Sequence, residues 1–236
     1  MAKKPETLSE TRHVRYDSPH WKVLSKYRSR ALDIMSSLES HGLTAHVYGS
    51  VARGDVSKTS DIDLIILQPV SSFRLEIALE GVLRRELVQA TPSTVLKGHI
   101  YLPDDIVVTF PLFKFRPREE DFYHWGGLLD IQGVRNELRV LGVDKRLIFI
   151  EPTEWGHIES GVIGREHDVA RRLGVSPDIA HERVRVLTRR DTVGRTGVYL
   201  SRPLRDDESF EEVAKSLRDH DPALRRTIER RLGRQS

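Results

Sequence analysis

His46-Val47-Tyr48-Gly49-Ser50-Val51-Ala52-Arg53-Gly54, then five residues, then Ser60-Asp61-Ile62-Asp63-Leu64-Ile65 is the stretch that decides the fold. Residues 44–48 form a short β-prone run, Gly49-Ser50 a turn, the next residues a short helix, and 62–67 a second β-prone run. A glycine lets backbone amides approach an anion, and a helix that starts there adds N–H donors. In a strand, residues two apart point to the same side, so Asp61 and Asp63 present their carboxylates together while Ile62 and Leu64 pack the opposite face. Like charges held this way repel. A divalent cation between them removes the conflict, and oxygen ligands completed by phosphate oxygens are what magnesium prefers. Either half alone fits an ordinary turn or a capped loop. Together, at this spacing and between two strands, they read as a nucleotide site.

Working outward, Leu24, Tyr27, Ala31, Ile34 and Leu38 recur at three- and four-residue steps and Gly42 follows, which predicts an amphipathic helix over 18–41. Ser71 and Ser72 are placed to cap a helix reaching about Gln89, with Leu75, Leu79, Val82 and Leu83 on its inner side. Residues 94–102 and 106–113 flank Pro103-Asp104-Asp105 as a hairpin. Beyond them 119–129 is predicted helical and 146–150 a strand. The aromatic run Phe122-Tyr123-His124-Trp125 suits core packing better than base stacking. The predicted fold class is therefore α+β, a short mixed sheet flanked by helices, spanning 18–158.

The Gly-Ser turn and Asp-x-Asp strand resemble the signature of the DNA polymerase beta-type nucleotidyltransferase superfamily over about residues 40–112. The resemblance implies a magnesium-dependent enzyme that moves a nucleoside monophosphate from a nucleoside triphosphate to a hydroxyl acceptor and releases pyrophosphate. It implies that Asp61 and Asp63 are catalytic and hold Mg2+, and that Gly49, Ser50, Arg53 and Ser60 contact the nucleotide. A third carboxylate on a later strand usually completes the superfamily's site. The matching strand, 106–113, contains no acid, with Val108 or Thr109 where one is expected. Asp105 at its entrance is the first candidate for a catalytic third acid, followed by Asp121 and Asp104. Without one, the alternative is a DNA-binding regulator whose nucleotidyltransferase-like domain senses nucleotide.

Composition bounds the rest. There is no cysteine, so no disulfide framework and no thiolate zinc site, and the ten histidines show no metal-ligand spacing. No apolar run is long enough to cross a bilayer and the first ten residues are polar, so a cytoplasmic protein without membrane contact is expected. The net charge of +3 comes from the later part of the chain, because 17 of the 38 Lys and Arg residues fall in 165–236 and all but Lys215 of these are arginine. There, 168–173 closed by Gly174-Val175-Ser176, a helix from Pro177 to about 190, and apolar pairs around Gly194-Arg195-Thr196-Gly197 outline a winged helix-turn-helix over 160–204. Its outward Arg185 and Arg189, with Arg195 on the wing, are the expected contacts to DNA or RNA. The charged helix at 205–236, with Phe210, Val213, Leu217, Leu224 and Ile228 on one side, either packs on that module or pairs with a second subunit in a homodimer.

Overall fold

A computed structural model describes residues 4–194 and 197–232. Strand β1 (Arg12–Arg15) leads into α1 (Ser18–Ser40), β2 (His46–Tyr48), the single turn α2 (Ser50–Arg53) and β3 (Ile62–Ile65). Then come α3 (Ser72–Ala78), β4 (Arg84–Gln89), β5 (Lys97–Leu102), β6 (Ile106–Pro111) and α4 (Pro117–Gly126). The next segment holds β7 (Leu128–Leu129), α5 (Ile131–Arg135), β8 (Gly142–Val143), β9 (Ile148–Thr153) and β10 (Gly156–Gly161). The described chain closes with α6 (Glu166–Leu173), α7 (Pro177–Val193), β11 (Leu200–Pro203), α8 (Phe210–His220) and α9 (Pro222–Leu232).

The strands make two sheets. The larger runs β11-β4-β5-β6-β3-β2-β7, and the smaller β1-β10-β9-β8. Among the described residues every pairing is antiparallel except β3 with β6, which places Val107 opposite Asp63. Helix α1 starts where Asp17 accepts a hydrogen bond from the His20 N–H at 2.8 Å, and it buries Leu24, Ala31, Met35 and Leu38 against the large sheet. One face of that sheet is thus apolar: Ile62, Leu64, Ile100, Leu102, Val108 and Phe110 meet α1, α3, α8 and α9. The other face carries Asp63. A second apolar cluster joins Val143, Leu147 and Phe149 of the small sheet region to Trp125 and to Val169, Ala170, Ile179 and Ala180 of α6 and α7. Among the described residues no helix is long and apolar enough to cross a membrane.

Three expectations are corrected. The helix predicted over 71–89 stops at Ala78, because Leu79 takes an extended backbone and Gly81 a left-handed one (φ 68°). The chain then turns into β4, and Val82 and Leu83 are exposed rather than inward. Among the described residues, the two runs expected to form the wing do not pair with each other. Thr192 and Val193 end α7, while Leu200 opens β11, which pairs with Gln89 at the edge of the large sheet. Gly194 and Gly197 flank Arg195 and Thr196, which lie outside the described residues. Finally, the single charged helix is two helices, and their apolar side joins the principal core. The Phe210 ring sits edge-on to Phe110 with centroids 5.0 Å apart. Gly98 makes room for both, since a Cβ there would lie 2.3 Å from the Phe110 ring and 2.9 Å from Phe210.

Candidate active site

Strand β2 delivers Tyr48 beside Asp63 and ends at Gly49, whose φ of 79° and ψ of −142° suit only glycine. The Gly49 N–H is tied to the Gly127 carbonyl at 2.9 Å, and α2 ends at Gly54 in the left-handed region (φ 100°). From α1, the buried Arg28 donates to the Val51 and Ala52 carbonyls at 3.2 and 3.1 Å, so a cation caps the end of the turn and fixes its direction. Gly49 and Ser50 remain half-buried at its start.

Arg53 is placed differently from the expectation of a nucleotide contact. Its side chain is 6% exposed and chelates Asp55 at 2.9 and 3.0 Å. A third donor reaches the Gly126 carbonyl at 2.5 Å. With its guanidinium so engaged, Arg53 braces α2 against the end of α4. Ser60 accepts from the Ser57 N–H at 2.9 Å and thereby shapes the loop that leads into the acids.

Asp61 is exposed at the entrance of β3 and Asp63 is half-buried within it. Burial pushes the Asp63 carboxyl up to about 6, Lys145 opposes this, Asp61 adds to it, and Lys97 again opposes it. The pair therefore holds more negative charge than it easily supports. Tyr48 and Tyr123 stand in T-shaped contact, centroids 5.0 Å apart, and burial with the charge of Asp63 raises both phenols.

The two lysines carry no local motif. Lys145 is exposed on the turn between β8 and β9. That turn is fixed by Asp144, whose Oδ1 accepts from the Arg146 and Ile148 N–H groups at 2.8 and 3.2 Å. Lys97 opens β5. On that strand Lys97, His99 and Tyr101 share the face of Asp63, since Tyr101 pairs with Val107 and Val107 with Asp63. Polar residues at every second position of Lys97–Leu102 are the one sequence signal that marks this face. It continues across β4: Arg84 lies 3.8 Å from the Tyr101 ring centroid, and the Tyr101 hydroxyl donates to Glu86 at 3.0 Å. Burial and the neighbouring Lys97 push His99 down to about 4, so its ring is neutral.

None of the three proposed third acids sits opposite Asp63; Val107 does, and Val108 points into the core. Asp105 lies in a left-handed turn (φ 56°), exposed, and its carbonyl accepts from the Ile62 N–H at 3.1 Å, level with Asp61. Asp104 pairs with Arg30 at 3.0 Å. Asp121 accepts from the Ser176 N–H at 3.2 Å and ties α4 to α7. Among the described residues no cluster of three or more acidic, histidine or cysteine side chains is formed that could hold a metal. Asp61 and Asp63 alone fit one hard divalent cation whose remaining ligands come from phosphate or water.

Away from this site, Gly174 caps α6 in the left-handed region and Ser176 caps α7, as a helix-turn-helix requires. Arg185 and Arg189 are exposed on α7, four residues apart. Arg195 lies outside the described residues. Tyr123 and Trp125 are core residues, 1% and 3% exposed.

A family model described as a nucleotidyltransferase domain matches residues 28–166, from the middle of α1 to the start of α6. Comparison with curated proteins and with solved structures gives no match.

Proposed function

Since the chain belongs to the nucleotidyltransferase domain family, we propose that it transfers a nucleoside monophosphate from a nucleoside triphosphate to a hydroxyl acceptor in a magnesium-dependent reaction. The observation that carries this reading is that Asp63 pairs with Tyr48, the residue before Gly49-Ser50, and feels the charges of Asp61, Lys97 and Lys145. Asp61 and Asp63 would hold Mg2+. When bound, the ion offsets their repulsion and neutralises phosphate charge.

In this reading Gly49 and Ser50 receive the triphosphate, since no side chain at Gly49 keeps a phosphate away. The lysines draw the phosphates toward the acids. The acceptor oxygen forms a bond to the α-phosphorus, the bond from that phosphorus to the β-phosphate bridging oxygen breaks, and pyrophosphate leaves with the electron pair. The acceptor proton passes to an ionised carboxylate of the pair or to water. Arg185 and Arg189 on α7 offer a cationic stripe to a polynucleotide acceptor, which favours DNA or RNA over a small molecule.

Val107 supports a second reading, in which the domain binds nucleotide as a sensor and transfers it slowly. Pyrophosphate release from a radiolabelled nucleoside triphosphate, followed with magnesium and with each acceptor class, separates the two. Asp61→Asn is expected to abolish release while the fold is kept, and full activity in that variant would overturn the assignment. Tight triphosphate binding without release in the wild type would select the sensor.

A further inference from the structure

Lys97 is half-buried on the sheet face that carries Asp63, yet its ammonium has few acceptors. The nearest is the Tyr123 hydroxyl at 3.4 Å. Burial lowers its pKa, and the charges that work against this are Glu119 first and Asp63 second. Neither forms an ion pair with it. An ammonium carries three donors, and a buried one left short of partners is costly until an anion arrives.

Glu119 is the obvious partner, and it is already saturated. Its Oε1 accepts from the Val95 N–H at 2.8 Å and from Arg231 Nη2 at 2.7 Å. Its Oε2 accepts from the Arg116 N–H and from Arg231 Nη1, both at 2.8 Å. Four donors fill the four lone-pair sites of a carboxylate. Arg231 itself is 4% exposed at the side chain and further held by the carbonyls of Lys114 and Ser93 at 3.0 and 3.3 Å. A bidentate guanidinium outcompetes a single ammonium for such a carboxylate.

We propose that Lys97 is a phosphate-binding residue of the nucleotide site, and that Arg231 on α9 is a positioning residue that keeps Lys97 free for the nucleotide by occupying Glu119. The proposal rests on the nucleotidyltransferase reading and adds to it a coupling between α9 and substrate affinity. Without Arg231, Glu119 loses two of its four donors in a buried place. Lys97, which already feels the charge of Glu119, is a cation at hand to replace Arg231, and its charge is then withdrawn from the phosphate site.

The test is calorimetric titration of the full chain with a non-hydrolysable nucleoside triphosphate, with inorganic pyrophosphate and with the bare nucleoside. Lys97→Met is expected to weaken triphosphate and pyrophosphate binding about ten- to a hundredfold, the range for a lost hydrogen bond to a charged group, and to leave the nucleoside unaffected. Arg231→Met is expected to weaken the triphosphate to a similar degree, and adding Glu119→Gln in the same chain to restore most of it. A purely structural Arg231 would not be rescued by removing the carboxylate. Where Arg231→Met does not fold, Arg231→Lys keeps one charged donor on Glu119. Its loss should be intermediate and rescued in the same way. A wild type that binds no triphosphate overturns the nucleotidyltransferase reading itself. Unchanged affinity in Lys97→Met, with the wild type binding, overturns the role of Lys97 alone, and a loss in the Arg231 variants without rescue by Glu119→Gln overturns the coupling.

Discussion

Replacing Asp63 by asparagine should make the metal-free protein more stable at neutral pH. The carboxyl is held at about 6, against an ordinary value of 3.8, chiefly by burial. That gap amounts to about 3 kcal/mol of unfavourable ionisation in the folded state at pH 8, because the folded protein binds the proton more tightly than the unfolded chain. Asparagine keeps the shape and removes the charge. For a chain of this size, the expected rise in Tm is on the order of 5 °C, allowing for solvent that reaches a half-buried group. The sign with pH follows directly. The wild type regains the lost stability as Asp63 takes up its proton between about pH 6 and 4, so the advantage of Asp63→Asn should shrink over that interval. Magnesium should act oppositely, stabilising the wild type more than the variant, since only the wild type offers two charged ligands. Thermal unfolding at pH 8 and pH 4.5, each with and without magnesium, reads all four quantities. A variant less stable than the wild type by the same amount at both pH values would show that Asp63 is a structural carboxylate and refute the reasoning.

Three further outcomes follow from the geometry. Gly49→Ala should weaken triphosphate binding and also destabilise the fold by about 1 to 3 kcal/mol, because a φ of 79° strains any side-chain-bearing residue even though nothing lies within 4 Å of the added carbon; denaturant titration beside calorimetry would show an unstrained site if stability held. Phe210→Ala should cost about 3 to 5 kcal/mol, read as a lowered urea midpoint, since the ring is fully buried between Phe110 and Gly98. Arg185→Ala with Arg189→Ala should flatten the dependence of polynucleotide binding on salt by about one unit for each phosphate that is no longer neutralised; an unchanged slope in fluorescence anisotropy would remove α7 from the acceptor site.

What the sequence discloses is what neighbouring residues decide together. The Gly49-Ser50 turn, helix α1 and the hairpin of β5 and β6 all rest on short-range chemistry, and each is where the spacing puts it, while Asp63 lies in β3 and Asp61 just before that strand begins. The differences arise where a distant segment decides. The steps Leu75, Leu79, Val82 and Leu83 suggest a helix that runs on to about Gln89, but β5 on one side and β11 on the other hold Arg84–Gln89 as a strand. The residues after α7 have the composition of a wing, yet Ser201 finds Val88 across the sheet. Arg53 stands inside the signature and looks poised for phosphate until Asp55 and Gly126 are seen to claim it. Lys97 opens a strand of the large sheet and Lys145 sits on a turn of the small one, and only the fold brings both charges to Asp63.

The placement of β11 and α8 bears on how the molecule is made. Before residues 200–232 leave the ribosome, β4 is a bare sheet edge with an open row of backbone donors and acceptors, and the Phe110 ring beside Gly98 has nothing over it. Such an edge invites pairing with other chains. Closing it joins Gln89 to Leu200 across a long loop, whose entropy must be met before the contact contributes anything. The edge of the sheet that carries Lys97 and Asp63 is therefore among the last parts to mature. A nascent chain carrying the complete Gly-Ser and Asp-x-Asp signature still lacks the strand that covers β4 and the ring that covers Phe110, so a firm nucleotide site should arise late in synthesis, and chaperone dependence should concentrate in that interval.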